Sequence, residues 1–146
     1  MLRVLLALAL LASPALAQDP PGVFGDYARS VSEIRVVDGD TVIVAGERVR
    51  MRSEAGPIDA PELRSAKCPL ELFRAEAARD RLAAIIAPGA RIVDTGERDR
   101  WKRPIVLVYV DGKDVGTQLV AEGHAKPWPK TGGKMRRENR PEWCGG

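Results

Sequence analysis

Residues 33–44 constrain the fold more than any other part of the chain, because apolar side chains alternate there around a turn. Four β-branched residues share one parity: Ile34, Val36, Val42 and Val44. The turn between the two pairs reads Asp38-Gly39-Asp40-Thr41. A period of two interrupted by Asp-Gly indicates a bent strand or a hairpin and not a helix. The folded part of the chain is therefore predicted to start with β-structure.

Three more strands are predicted from alternation or short apolar runs, at residues 48–52, 89–94 and 104–110. Residues 53–61 are predicted to form a loop, because they carry Gly56-Pro57. With the two helices described next, the order is strand, strand, helix, strand, strand, helix. Hairpin-like connections in this order predict an α+β fold, mainly β, in which helices pack on a small antiparallel or mixed barrel.

Residues 69–87 carry the one long helical pattern. Its apolar stripe has helical spacing and consists of Leu72, Ala75, Ala78, Leu82 and Ile85. Pro88-Gly89 ends the helix, and a shorter helix is predicted at residues 114–122 before Gly123.

The first seventeen residues are predicted to be a secretory signal peptide and no part of the fold. A basic start is followed by the apolar run Val4–Ala12 and a small-residue cleavage site that ends at Ala17. The alternative is a membrane anchor, but the run is shorter than the roughly 20 residues that span a bilayer. We expect a protein exported to the periplasm or the medium, without membrane association after cleavage. Residues 18–32 are predicted to be an irregular leader.

The chain has two cysteines, Cys68 and Cys144. An export signal places them in an oxidising compartment, where a disulfide is the default for such a pair. The alternative is a free reactive thiol. A disulfide would tie the C-terminal tail, residues 129–146, to the body of the domain.

Basic residues are concentrated near the C-terminus. The whole chain carries a formal net charge of +3, and six Lys or Arg residues follow His124 against two glutamates. A basic tail on a near-neutral body favours contact with a polyanion such as nucleic acid, although such tails are also found merely solvated.

Composition excludes several kinds of catalytic site. His124 is the only histidine, which excludes two-histidine ribonuclease chemistry and zinc sites with several imidazoles. Two cysteines are too few for a Cys₄ metal centre. The chemistry that remains is that of carboxylates and guanidinium groups.

Two acidic turns supply the carboxylates, Asp38-Gly39-Asp40-Thr41 and Ile58-Asp59-Ala60-Pro61-Glu62. Neighbouring carboxylates repel unless a cation compensates them, and an oxygen-only set suits Ca²⁺ or Mg²⁺. Arginines follow in sequence and match phosphate geometry: Arg50, Arg52, Arg98, Arg100 and Arg103. The combination suits a phosphodiesterase, whereas either acidic segment alone is compatible with an ordinary turn.

Together these segments resemble the staphylococcal-nuclease-like (thermonuclease) family over roughly residues 33–128. The matching stretches are Val36–Val42, Val49-Arg50-Met51, Ile58–Glu62, Asp99–Arg103, Asp111–Val115 and Leu119–Ala125. The resemblance implies an OB-fold, here a small five-stranded barrel with two or three packed helices. It also implies a calcium-dependent nuclease acting on DNA, RNA or both.

The resemblance assigns roles to individual residues. Asp40, Asp59 and the backbone carbonyl of Ala60 would bind one Ca²⁺ ion. Glu62 would be the general base. Two arginines, Arg50 and Arg103, would bind the scissile phosphate. The remaining substrate-binding residues would be Trp101, which could stack on a base or sugar, and the arginines Arg52 and Arg100.

The chain departs from the family pattern in three places. Extra residues around 53–57 leave Arg52 as a rival to Arg50 for the phosphate clamp. Lys102 replaces a glycine, which would strain the backbone if φ is positive there. A short basic tail replaces the long C-terminal helix of the staphylococcal protein.

Three functions are compatible with these residues. The first is a monomeric nuclease whose partner is its nucleic acid substrate, with no stable protein partner. The second is a catalytically impaired OB-fold module that binds nucleic acid or protein. The third is an exported structural domain. Retention of Asp40, Asp59 and Glu62 favours the enzyme, because binding modules of this kind typically lose the acidic ligands.

Overall fold

The computed structural model describes residues 26–29 and 34–145. The predicted signal peptide and most of the predicted leader lie outside the described residues. The described strands are β1 (Asp26–Arg29), β2 (Ile34–Asp38), β3 (Thr41–Val44), β4 (Glu47–Ser53), β5 (Gly56–Asp59), β6 (Ala90–Arg98), β7 (Pro104–Val110), β8 (Lys113–Asp114) and β9 (Lys126–Pro127). The helices are α1 (Pro69–Ile86) and α2 (Val115–Ala121), with a 3₁₀ turn at Arg137–Asn139. The predicted α+β class, mainly β, is confirmed.

The main sheet runs in the order β1-β6-β7-β4-β3-β2. Its neighbours are antiparallel except for β4 and β7, which pair in parallel with Arg50 opposite Ile105. Of the bent strand or hairpin predicted at the Asp-Gly turn, the structure has the hairpin: Asp38 pairs with Thr41, and the register shifts between Val36 and Asp38. This turn places the carboxylate of Asp40 at one end of the sheet.

The leader was predicted to be irregular, and this is wrong for Asp26–Arg29, which form β1. That strand pairs antiparallel with β6, from Asp26 opposite Val93 to Arg29 opposite Ala90. The edge of β6 offers backbone N–H and C=O groups, and a strand that satisfies them needs no local hydrophobic pattern.

The prediction of a loop at residues 53–61 is wrong for its first half, where β4 and β5 form a hairpin. Ser53 pairs with Gly56 and Arg52 pairs with Pro57. Gly56 has φ 145°, a conformation that glycine adopts without steric cost. The inserted residues therefore extend the β-structure and direct Asp59, the last residue of β5, back toward the turn at Asp40.

Helix α1 packs on the sheet through the predicted stripe, with one exception. Leu72 is 40% exposed, whereas the carboxylate-bearing Glu71 beside it is 3% exposed. Glu71 faces inward because its carboxylate accepts hydrogen bonds from the backbone N–H groups of Glu62 and Lys67. The rest of the inward face consists of Ala75, Ala78, Leu82, Ile85 and Ile86.

The hydrophobic core lies between α1, α2 and the inner face of the sheet. Its fully buried members include Val42, Met51, Ile58, Leu82 and Leu119. No helix among the described residues is long and apolar enough to cross a membrane.

The predicted disulfide is present between Cys68 and Cys144, which are 76 positions apart in the sequence. Cys68 also caps α1, because its sulfur accepts a hydrogen bond from the backbone N–H of Glu71. The C-terminal tail is consequently fixed beside the first turn of α1.

Candidate acidic site

Asp40 lies in the turn between β2 and β3 with 2% of its surface exposed. Its Oδ2 accepts a hydrogen bond of 2.7 Å from the backbone N–H of Ala60, and its Oδ1 accepts one of 2.9 Å from the hydroxyl of Thr41. The two acidic turns predicted from sequence are thus joined directly, because a donor of the second turn binds the carboxylate of the first.

Asp59 is fully buried and lies next to Asp40 across one guanidinium group. Nη2 of Arg50 is 2.7 Å from Oδ2 of Asp40 and 3.4 Å from Oδ1 of Asp59. The same nitrogen donates a hydrogen bond of 3.1 Å to the carbonyl of Ile58. Arg50, at the centre of β4, therefore links the predicted metal ligands to each other.

Glu62 joins the group through a second guanidinium. Nε of Arg140 is 3.0 Å from Oδ1 of Asp59, and its Nη2 is 2.8 Å from Oε1 of Glu62. Asp59 also accepts a hydrogen bond of 2.9 Å on Oδ2 from the indole of Trp143. Asp40, Asp59 and Glu62 are called the acidic cluster below.

The charges in this region shift each other's ionisation. Burial and the neighbouring charge of Asp40 raise the pKa of Asp38 to about 7. Burial, followed by the charge of Asp40, also raises the pKa of Asp59, although Trp143, Arg140 and Arg50 act in the opposite direction. The pKa of Arg50 is raised because the surrounding carboxylates outweigh its desolvation. Three clustered carboxylates face two guanidinium groups, so the site keeps a formal excess of negative charge.

Arg103, the second predicted phosphate clamp, contacts Asp99 and Trp101, two residues outside the acidic cluster. Nε of Arg103 forms an ion pair of 2.6 Å with Asp99, whose backbone accepts the N–H of Lys102 in the same turn. Arg103 immediately precedes β7, two residues before Ile105, which pairs with Arg50. Its backbone is therefore close to the site, while its guanidinium contacts Asp99 and the ring of Trp101.

The other predicted substrate-binding residues surround this turn. Trp101 is 61% exposed, and the guanidinium of Arg100 lies 3.8 Å from the centre of its ring. Arg52 points along the same face of β4 as Arg50 but pairs with Glu97 at 3.0 Å. Of the two rival arginines, Arg50 is the one placed among the carboxylates.

A family model described as staphylococcal nuclease homologue matches residues 48–140, more than half of the chain. The chain belongs to the staphylococcal nuclease homologue family. It is also 34% identical over 113 residues to Protein ParB of Escherichia coli, an alignment that covers 76% of this chain and 54% of ParB. The chain thus spans about half the length of that curated relative. The OB-fold expected from the resemblance is the fold of this family.

The family match extends past residue 128, where the sequence predicted the domain to end, to residue 140. The residue at that limit is Arg140, which the sequence placed in the basic tail, with no predicted contact to the acidic turns. Trp143 and Glu71 were also missed. The signal that could have found them is the cysteine pair, because a Cys68–Cys144 disulfide places the last tail residues close to Glu62.

The acidic cluster has the donor chemistry that Ca²⁺ prefers, but its carboxylates are engaged by guanidinium groups. Carboxylate and carbonyl oxygens are the ligands that Ca²⁺ prefers. In the described part of the chain, however, no three His, Cys, Asp or Glu side chains are arranged to hold a metal ion. Asp59 and Glu62 are instead directed at Arg140, and Asp40 at Arg50. The carboxylates predicted to hold a divalent cation are therefore paired with guanidinium groups in this structure.

Proposed function

We propose that this chain is a nuclease that hydrolyses phosphodiester bonds of DNA, RNA or both. Membership of the staphylococcal nuclease homologue family supports a nuclease or a nucleic-acid-binding OB-fold module. The observation that favours the nuclease is the position of Arg50, which contacts both Asp40 and Asp59 at the end of the sheet. Carboxylates and guanidinium groups are thereby concentrated where a phosphate would be bound and attacked.

Glu62 is the proposed general base. Its side chain is 30% exposed, in contrast to the fully buried Asp59, so water can reach it. A carboxylate in hydrogen-bond reach of water can accept the proton lost as that water attacks phosphorus. The third carboxylate, Asp40, is enclosed by hydrogen bonds and is less suited to that task.

Arg50 and Arg103 are the proposed phosphate clamps. A guanidinium donates paired hydrogen bonds to phosphate oxygens and stabilises negative charge that develops on them. Arg50 is positioned within the cluster, whereas Arg103 would exchange its ion pair with Asp99 for one with the substrate.

One Ca²⁺ ion is retained in the proposal, with Asp40, Asp59 and the carbonyl of Ala60 as its ligands. The family is typically metal-dependent, which supports a divalent cation. No step of the reaction is assigned to the ion, because Arg140 contacts an oxygen of Asp59 that would have to coordinate it.

The exposed ring of Trp101, flanked by Arg100 and Arg103, is the proposed base-stacking platform. Aromatic rings bind bases of any sequence by stacking, and arginines add contacts to the backbone. Arg52 is proposed to contact the backbone of the nucleic acid strand beside this platform. The protein is further proposed to be monomeric, free of membrane and of stable protein partners, and exported to the periplasm or the medium.

The second candidate is a binding module on the same OB-fold without catalysis. Arg140 favours it, because its guanidinium occupies oxygens of Asp59 and Glu62 that a metal ion or an attacking water would have to reach.

A cleavage assay distinguishes the two candidates. The purified chain with its disulfide intact is incubated with supercoiled plasmid DNA and with a labelled single-stranded RNA, in calcium and then in excess chelator. The nuclease proposal predicts cleavage of at least one substrate in calcium and its loss with chelator. Binding without cleavage would support the module, and cleavage unaffected by chelator would refute the calcium requirement.

A further inference from the structure

The acidic cluster receives its second cation from the C-terminal tail. Arg140 bridges Asp59 and Glu62 at 3.0 and 2.8 Å, and these carboxylates precede it by 81 and 78 positions. Its side chain is 24% exposed, so the guanidinium is partly open to solvent. A basic tail that was merely solvated would not place a guanidinium between two carboxylates of the site.

The tail is held in this position by contacts that do not involve Arg140. Cys144 is bonded to Cys68, and Nη1 of Arg74 donates a hydrogen bond of 2.6 Å to the carbonyl of Trp143. Nζ of Lys126 donates another of 2.6 Å to the carbonyl of Glu142. These anchors keep Arg140 at a high local concentration beside the carboxylates, which strengthens an otherwise weak ion pair.

We propose that Arg140 is a positioning residue that acts as the resident cation of the acidic cluster and competes with a divalent cation for Asp59. This inference rests on the proposed function. Both cations need the carboxylate of Asp59, since calcium coordinates at roughly 2.3–2.6 Å and would stand against the positive guanidinium. A divalent cation therefore binds this cluster only as Arg140 leaves it.

Calcium titration by isothermal calorimetry tests the competition directly. The probe is Ca²⁺ alone, added to the oxidised full chain without nucleic acid. The Arg140→Gln variant removes the charge and should bind calcium at least about tenfold more tightly than the wild-type chain. Arg140→Lys keeps a positive charge but loses the two-pronged contact, so its calcium affinity should fall between the two.

The matched control is Arg136→Gln. Arg136 belongs to the same tail and is paired at the surface with Glu138 at 3.7 Å. This variant changes the net charge by the same amount as Arg140→Gln and should leave calcium affinity unchanged. Equal gains in both variants would show a general charge effect and overturn the proposal, as would an Arg140→Gln affinity equal to that of the wild type.

Loss of Arg140 removes a positive charge from beside the buried carboxylate of Asp59, so the variant is expected to be less stable than the wild type without metal. Thermal unfolding then becomes the second measurement, because a ligand that binds only the folded state raises Tm. Calcium should raise the Tm of Arg140→Gln more than that of the wild type, or restore its folding. A variant that calcium neither folds nor stabilises overturns the proposal.

The calorimetric result is independent of the cleavage result. Tighter calcium binding by Arg140→Gln without cleavage by any form of the chain would support the competition and refute the nuclease. Cleavage by the wild type with no change in calcium affinity in Arg140→Gln would support the nuclease and refute the competition.

Discussion

The indole of Trp143 donates a hydrogen bond of 2.9 Å to Oδ2 of Asp59, a carboxylate 84 positions earlier in the chain. Both residues are buried, with 4% and 0% of their surface exposed. The last residues of the tail thus complete the environment of the most buried carboxylate of the site. Stability and site geometry are coupled at this contact, because an ionised carboxylate without partners is costly to bury.

Trp143→Phe should lower the free energy of unfolding by about 2–4 kcal/mol, from the lost hydrogen bond to a charged group and the volume left empty. The measurement is urea denaturation of the oxidised chain. The control is Trp128→Phe, which removes a partly exposed indole that bonds to the carbonyl of Arg136 and should cost less than about 1 kcal/mol. Equal losses in the two variants would refute the claim that the buried hydrogen bond from Trp143 to Asp59 contributes more to stability than the exposed one from Trp128.

Gly39→Ala should destabilise the fold by about 1–3 kcal/mol through overpacking. A Cβ at this position would lie 2.7 Å from Cβ of Ala78 and 2.8 Å from Cβ of Ala60, so α1 would be pushed away from the acidic turn. Gly145→Ala is the control, since nothing lies within 4 Å of its added Cβ. Chemical denaturation of both variants checks this. A Gly39→Ala variant as stable as the wild type would contradict the close packing of Gly39 against Ala60 and Ala78.

Lys102 has φ 67°, in the left-handed region that glycine tolerates best. The strain expected from the sequence is therefore present. Lys102→Gly should raise the free energy of unfolding by about 0.5–1 kcal/mol, because relief of strain exceeds the added entropy of the unfolded chain. Lys102→Ala keeps the strain and should match the wild type in the same thermal unfolding series. A lysine-to-glycine change that stabilises no more than the change to alanine would disprove the strain.

Asp99 should make stability depend on acid pH. Its side chain is 4% exposed; burial raises its pKa, but the hydrogen bonds and charge of Arg103 outweigh this and leave the pKa below its usual value. A lowered pKa in the folded state stabilises the protein above the unfolded pKa of about 4, and that stabilisation is lost as pH falls through the folded value.

Asp99→Asn should therefore cost about 1–3 kcal/mol at pH 7, with the difference from the wild type shrinking below about pH 4. Urea denaturation at pH 7, 5 and 3 measures it. Asp80→Asn serves as the comparison, because Asp80 is 68% exposed and its pairing with Arg79 is screened by water. A difference for Asp99→Asn that stays constant with pH would contradict the assignment.

Local pattern was sufficient for much of the fold. The alternation around Asp38-Gly39 predicted the β2–β3 hairpin, and the stripe ending at Ile85 predicted α1 almost to its last residue. β1 was missed because a short edge strand is defined by its partner's backbone and not by its own side chains. The β4–β5 hairpin was missed because Gly56-Pro57 signals a turn without showing how far pairing continues around it.

The candidate site was predictable in part for a similar reason. Asp40, Asp59, Glu62 and Arg50 belong to motifs, and motifs are visible in sequence. Arg140 and Trp143 belong to no motif, and their roles depend on long-range contacts. Only the pairing of Cys68 with Cys144 carries that information, and it had to be combined with the position of Glu62.

The central claim is that the acidic cluster hydrolyses phosphodiester bonds, and the most direct measurement is the initial cleavage rate of a labelled oligonucleotide by wild-type chain and Glu62→Gln. Glutamine keeps an oxygen that can accept a hydrogen bond from Arg140, so the fold should stay intact. It cannot take a proton from the attacking water, so the rate should fall by about 10²–10⁴-fold. Glu138→Gln, an exposed change of the same kind, should cleave at the wild-type rate. A wild-type rate in Glu62→Gln, or no cleavage by the wild-type chain in calcium, would contradict the account.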